Sequence, residues 1–213
     1  MKKIIFLTVV AIFSLCYQAK SELDLGVIGG VHSTTLNIEP SEDFDVEGRT
    51  AFGAGFFLNA HLNEVLSLQV TPMYLQKGGN ARYDLNFLEY TEFRADYLEI
   101  PILLRLNFDA GMVQPYIIAG PSIGFQLNST YLDGDGEEVD IADETKNMDI
   151  SAVLGAGLEI ELDNMSLFGQ LTYSHGLSNL DNSDGFLDFT DEIYTRSFGV
   201  FVGLSVPLGK QNK

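Results

Sequence analysis

The sequence predicts an all-β chain: an eight-stranded antiparallel up-and-down barrel that spans a membrane. The stretch 96–108, DYLEIPILLRLNF, places an apolar residue at every even position from 98 to 108, which gives an extended strand one continuous apolar face. This stretch and the next alternating one, 113–127, are longer than the five or six residues of a typical globular strand and match a tilted membrane span of about 9–11 residues. Connections along the chain alternate between long and short, as in outer-membrane barrels.

Eight segments of the chain carry this alternating pattern. They cover residues 23–32, 52–61, 66–74, 96–108, 113–127, 149–160, 165–175 and 194–208. Phe168 and Gly169 are expected to interrupt the alternation of the seventh segment. Short turns fall at 63–64, 109–111 and 163–164, and long polar connections at 39–49, 77–95, 128–147 and 177–193. Within the second long connection, residues 83–93 could instead extend the flanking strands as a hairpin.

Residues 1–21 are predicted to form a cleaved export signal, which makes residues 22–213 the barrel domain. Two lysines precede the apolar run 4–17, and Ala-Lys-Ser at 19–21 fits a small-x-small cleavage site. A transmembrane helix is the alternative, but the run is shorter than the about 20 residues that a helical span needs. Acylation at Cys16 is disfavoured because Leu15 stands where a small residue is required.

The predicted exported chain is strongly acidic and contains no cysteine. Removing Lys2, Lys3 and Lys20 from the 12 basic residues leaves nine against 30 acidic residues, a net charge of −21. This charge argues against nucleic acid as a partner and against docking onto anionic phospholipid. The four long connections hold 20 of the acidic residues and five basic ones, so we expect an acidic face outside the cell with both chain termini in the periplasm.

A soluble lipocalin-like barrel is the main alternative fold, because it also has eight alternating strands. Its connections need not alternate long and short, whereas a membrane barrel has short turns at one end and long loops at the other. The connection pattern therefore favours the membrane barrel, in which a closed sheet leaves no backbone edge in lipid.

Four segments resemble the small outer-membrane β-barrels of the Bacteroidetes type, which include the PorT-like proteins. They are DYLEIPILLRLNF, PYIIAGPSIGF at 115–125, VLGAGLEIEL at 153–162 and YSHGLSN at 173–179. Many outer-membrane barrels end on an aromatic residue, and this chain departs from them because Phe198 and Phe201 are its last aromatics. The resemblance implies outer-membrane localisation and attachment to a larger envelope or secretion assembly.

The residues do not form the usual constellations of an enzyme, so no catalytic activity and no cofactor are predicted. His32, His61 and His175 lie on different strands without metal-ligand spacing. The Gly-Ala-Gly run at 155–157 looks like part of a nucleotide-binding fingerprint, but no helix follows it. Small residues facing into a narrow barrel explain these glycines better.

An acidic run in the third long connection is the one weak candidate for a divalent-cation site, formed by Asp133, Asp135, Glu137 and Glu138. Carboxylates near a flexible turn suit calcium, but the spacing fails the EF-hand pattern, which needs a glycine at the sixth position. A solvated acidic loop is therefore the preferred interpretation.

A polar network is predicted inside the barrel, formed by Gln69, Glu99, Arg105, Gln114, Tyr116 and Glu159. Arg105 is the only basic residue among the inward positions assigned from the sequence. Because an eight-stranded barrel is just wide enough for side chains to fill, Arg105 is expected to pair with Glu159 across it. Gln69, Gln114 or Tyr116 would supply further bonds.

These features predict an outer-membrane barrel with a side-chain-filled lumen and a structural or interaction role in the envelope. A small-ligand binding or transport barrel with an acidic mouth is the alternative. Outer-membrane lipid is the one partner that the sequence predicts directly.

Overall fold

The computed structural model describes residues 23–39, 45–85, 87–132, 138–140, 148–178 and 192–208. These form strands only, with no helix among them. Their bounds are β1 (Leu23–Glu39), β2 (Asp45–His61), β3 (Leu66–Val70), β4 (Met73–Leu85), β5 (Phe87–Asn107), β6 (Val113–Leu132), β7 (Glu138–Asp140), β8 (Met148–Glu161), β9 (Ser166–Gly176) and β10 (Glu192–Pro207).

The strands close into an eight-stranded antiparallel barrel, as predicted. β1 pairs with β2 on one side and with β10 on the other, so the first and last strands of the chain are neighbours and the sheet is closed. β3 and β4 both lie between β2 and β5 and together make one strand of the barrel. The short β7 pairs with β6 beyond the point where β8 begins.

Two prolines explain why one barrel strand is divided into β3 and β4. Thr71 lies opposite Pro101 and donates its backbone N–H to that carbonyl at 3.2 Å, while the next residue, Pro72, has no N–H to donate. The carbonyl of Pro72 still accepts a bond from Phe56 at 2.9 Å. The register with β5 is the same before and after the break, so the inward and outward faces do not change.

The two ends of the barrel differ in their connections. The short-turn end carries the turns 62–65, 108–112 and 162–165 together with both described chain ends, which are joined by a 2.6 Å bond from the Leu208 N–H to the Leu23 carbonyl. The opposite end, called here the long-loop end, carries the other four connections.

The two faces of the wall are chemically opposite. Outward positions are apolar and exposed, for example Phe56 at 66%, Val202 at 61% and Leu154 at 59%. Along β5 and at Phe108, which follows it, the even-numbered residues 98–108 face outward and the odd-numbered residues 97–107 are buried inside, as the sequence predicted. Such a belt of exposed apolar side chains is stable only when lipid covers it.

The strands reach further toward the long-loop end than the sequence predicted. The second connection was expected to be a polar gap over 77–95 or, alternatively, a hairpin over 83–93 that extends the flanking strands. The hairpin is confirmed, because β4 and β5 continue to Leu85 and Phe87. Continued backbone pairing between adjacent strands, which needs no apolar pattern, explains the extension. The predicted export signal lies outside the described residues. No helix in the described part of the chain is long and apolar enough to cross a membrane.

The lumen is filled by a core of large side chains that includes Phe168, which was expected to interrupt the alternation of its segment. Phe168 faces inward, is 1% exposed and packs on Phe57 with ring centroids 4.3 Å apart. Side chains of β9 still alternate between the two faces, but an apolar ring takes an inward position there. Inward glycines make room for these rings. A Cβ at Gly203 would overlap the ring of Phe168, and one at Gly157 would overlap the ring of Tyr116.

Candidate functional site in the barrel lumen

The first charged cluster lies in the lumen near the short-turn end and centres on Arg105 of β5. Its Nη2 forms an ion pair with Oε2 of Glu159 on β8, and its Nε donates to Oδ1 of Asn107 at 2.6 Å. The guanidinium carbon also lies 3.6 Å from the ring centroid of Tyr116, which is a cation–π contact. Arg105 is 1% exposed, so these contacts take the place of water at Nε and Nη2, whereas Nη1 has no hydrogen-bond partner among the described residues.

Hydrogen bonds extend this cluster to the end of the barrel. Asn107 Nδ2 donates to Ser67 Oγ at 2.8 Å, and Ser67 Oγ lies 3.3 Å from Nδ1 of His61. Nε2 of His61 lies 2.6 Å from Oδ2 of Asp24, where the two side chains are partly exposed. This chain of hydrogen bonds from Asp24 to Arg105 crosses four barrel strands and links them at the short-turn end.

The series of serine, histidine and aspartate does not have the geometry of a hydrolase site. A nucleophilic serine must be accessible to substrate and activated by its histidine. Ser67 is 0% exposed, and its oxygen already accepts the bond from Asn107. The arrangement therefore holds side chains in place at the wall of the barrel.

The second charged cluster lies nearer the long-loop end and centres on Lys77 of β4. Its Nζ lies 2.9 Å from Oε2 of Glu99 on β5 and 3.2 Å from Oδ2 of Asp149 on β8. Ser122 donates to Glu99 at 2.8 Å and Ser178 donates to Asp149 at 2.6 Å. The three charged groups span the interior from β4 to β8 and are each about 95% buried or more.

The predicted network residues divide between these two clusters and the space around them. Arg105, Glu159 and Tyr116 belong to the first cluster, and Glu99 belongs to the second. The other two, Gln69 and Gln114, bond elsewhere than expected.

Gln69, Gln114 or Tyr116 was expected to give Arg105 further contacts, and of the three only Tyr116 is seen to do so among the described contacts. Gln69 instead donates to Thr71 and to Gln170, both at 3.3 Å, in the middle of the lumen. Gln114 donates to Glu161 at 2.9 Å at the exposed short-turn end. The side chain of Asn107 and the ring of Tyr116 take the places beside Arg105 that these amides were expected to occupy.

Sequence analysis missed Lys77, and the statement that Arg105 is the only inward basic residue is wrong. Lys77 was assigned to a loop, because the apolar outward pattern ends near Tyr74. A signal was nevertheless present: Lys77 continues the inward odd-numbered series of Gln69, Thr71 and Met73. Outside the membrane the outward face no longer has to be apolar, so the pattern weakens before the strand ends.

The described residues include no group of three or more histidine, cysteine, aspartate or glutamate side chains placed to hold a metal ion. Of the weak divalent-cation candidates, Asp133, Asp135 and Glu137 lie outside the described residues, and Glu138 begins β7.

Comparisons with known proteins agree with this architecture. Residues 16–182 match the family described as "Outer membrane protein beta-barrel domain". The chain is similar in structure to Neisserial surface protein A, with a TM-score of 0.53 at 15% identity, covering 85% of this chain and 96% of that one. It is also similar to the outer membrane protein OprG from Pseudomonas aeruginosa, with a TM-score of 0.53 at 9% identity, covering 89% and 98%. A search of curated proteins found no match.

The structural likenesses support the fold, and the family match covers more than half of the chain. The exposed apolar belt and the closed sheet are what a protein needs to reside in the outer membrane. The chain belongs to the outer membrane protein β-barrel domain family and is a protein of the outer membrane.

Proposed function

We propose that this protein is a non-conducting barrel with a structural or interaction role in the cell envelope. The observation that supports this most directly is the pair of buried ion clusters, one centred on Arg105 and one on Lys77, stacked along the lumen. Each cluster crosses the interior from β4 or β5 to β8. Ions would have to break both clusters in order to pass.

Two groups of buried apolar side chains also help to fill the lumen. Phe57, Phe168 and Phe201 belong to one buried apolar group, and Leu103, Tyr116 and Ile118 belong to another. An eight-stranded barrel leaves room for side chains to fill the interior but not for an aqueous channel. A barrel closed in this way acts through its outer surface and its loops.

The orientation that fits this role places the short-turn end in the periplasm and the long-loop end outside the cell, as in other outer-membrane barrels. The sequence resemblance to PorT-like barrels suggests a finer role as an accessory to a secretion assembly. The acidic long connections would then form the outer face that meets other envelope components.

Conductance measurements test the closed lumen. The purified protein in planar bilayers should show no steady single-channel current, whereas the variant K77M/R105M should show small, irregular current. Steady, large currents from the unmodified protein would overturn the proposal and favour the alternative of a transport barrel with an acidic mouth.

Complementation tests the site of action. In cells that lack the gene and show an envelope defect, isosteric lumen variants such as E99Q/D149N/K77M should restore the phenotype, because the outer surface is unchanged. Shortening the connection 179–191 should abolish complementation at equal surface level. The opposite result would place the function in the lumen.

A further inference from the structure

A cavity of about 50 Å³ lies in the lumen beside the Lys77 cluster. Lys77 and Glu99 line it on one side, and Gln170, which accepts a hydrogen bond from Tyr116 at 3.3 Å, lines it on another. The cavity therefore lies between the two charged clusters, in the part of the interior that side chains do not fill.

His32 of β1 also lines this cavity; the Gln76 backbone lies near its ring, but neither ring nitrogen forms a hydrogen bond of good geometry there. His32 is 4% exposed, so the one nearby backbone group can meet the needs of at most one of its two ring nitrogens. An imidazole has hydrogen-bonding capacity at both nitrogens in either of its charge states. Leaving either unmet inside a protein is costly, so the ring requires another partner.

The size and lining of the cavity indicate what that partner is. A water molecule needs about 10–15 Å³ of accessible space and two to four polar neighbours, so the cavity has room for about three waters. Thr172, Ser174 and Ser197 line the cavity together with His32, and apolar residues such as Met73, Leu75 and Leu103 line much of the rest. The hydroxyl-bearing residues and His32 are the polar partners available to water there.

The charges at the cavity favour a neutral ligand over an ion. Lys77 and Glu99 both line it, and their opposite charges are already paired at 2.9 Å. A cation would meet the Lys77 ammonium, and an anion would meet the Glu99 carboxylate. Water can donate to one and accept from the other without a net charge.

We propose that this cavity is a hydration site that binds a cluster of about three ordered water molecules, and that His32 takes its hydrogen bonds from this water. The cluster connects the polar groups around Gln170 with the Lys77 and Glu99 pair. The proposal does not depend on whether the barrel conducts, because water can occupy this cavity in a closed or an open lumen.

Water-edited solid-state NMR on the full protein in liposomes tests this site. With labelled histidine and phenylalanine, magnetisation should pass from water to the His32 ring about as fast as to the part-exposed His61 ring. Transfer to Phe168, in the dry aromatic layer, should be much slower. A His32 ring that receives magnetisation as slowly as Phe168 would overturn the hydration site.

Two variants of neighbouring inward residues on β9 sharpen the test. Ser174→Leu fills the cavity and should reduce transfer to His32 to the level of Phe168, with transfer to His61 unchanged. Thr172→Val keeps the volume and removes one hydroxyl, so transfer should persist. If Ser174→Leu does not fold, xenon binding to the unmodified protein decides the question: a dry apolar cavity takes up xenon, whereas the proposed hydrated site excludes it.

Discussion

Lys77 Nζ lies 2.9 Å from Glu99 Oε2, so β4 and β5 are joined by an ion pair inside the barrel as well as by their backbone bonds. Asp149 on β8 completes the cluster from another wall of the barrel. Buried charges of this kind contribute little net stability as a set, but each is costly to leave alone. Removing one charge should therefore cost more stability than removing all of them.

Lys77→Met should destabilise the barrel by about 3–5 kcal/mol, because it leaves two buried carboxylates without their cation. The triple variant K77M/E99Q/D149N should recover most of this loss, since no uncompensated charge remains. Urea unfolding in lipid vesicles measures both. Equal stability of Lys77→Met and the unmodified protein would show that water solvates this cluster.

Arg105 and Glu159 should be energetically coupled. In a double-mutant cycle with Arg105→Met and Glu159→Gln, the coupling energy is expected to be about 0.5–3 kcal/mol, because the two side chains share an ion pair. A second cycle with Arg105→Met and Glu99→Gln is the control, since Glu99 pairs with Lys77 in the other cluster. Coupling of the same size in both cycles would contradict two separate clusters.

Arginine on the outward face of β5 should be penalised according to its depth. Leu104→Arg is expected to cost about 2–4 kcal/mol near the bilayer middle, whereas Phe108→Arg, next to the short turn, should cost only about 0–1. Both positions are outward and about half exposed, at 47% and 49%. Reversible unfolding in vesicles compares them, and equal costs would argue against a lipid-covered wall.

Gly203→Ala should destabilise the barrel by about 1–3 kcal/mol, the usual cost of overpacking. The added Cβ would overlap the Phe168 ring and lie 2.5 Å from the Val27 carbonyl oxygen. Gly29→Ala is the matched control, because its Cβ would meet nothing closer than the Gly53 carbonyl oxygen at 3.6 Å. If urea unfolding shows the two changes to be equal, Phe168 does not fill the lumen as described.

The inward and outward faces could be predicted because a strand has a period of two and the two faces meet different media. The even residues from Leu98 to Phe108 face outward and the odd residues from Tyr97 to Asn107 are buried, as the sequence pattern indicated. Burial of Phe168 could not be predicted, because a large apolar residue suits a filled lumen as well as lipid. Only the room left by Gly203 on the neighbouring strand distinguishes the two.

The sequence alone determined the strand count, the apolar outer face and the narrow interior in which Arg105 needs a carboxylate, because these follow from local alternation and chain length. Only the tertiary structure brings Lys77 next to Asp149 and Ser67 next to His61. Such contacts depend on how far each strand is shifted along its neighbour and on where the strands end beyond the membrane. Backbone pairing between distant segments sets both of these, and no local pattern of side chains reports them.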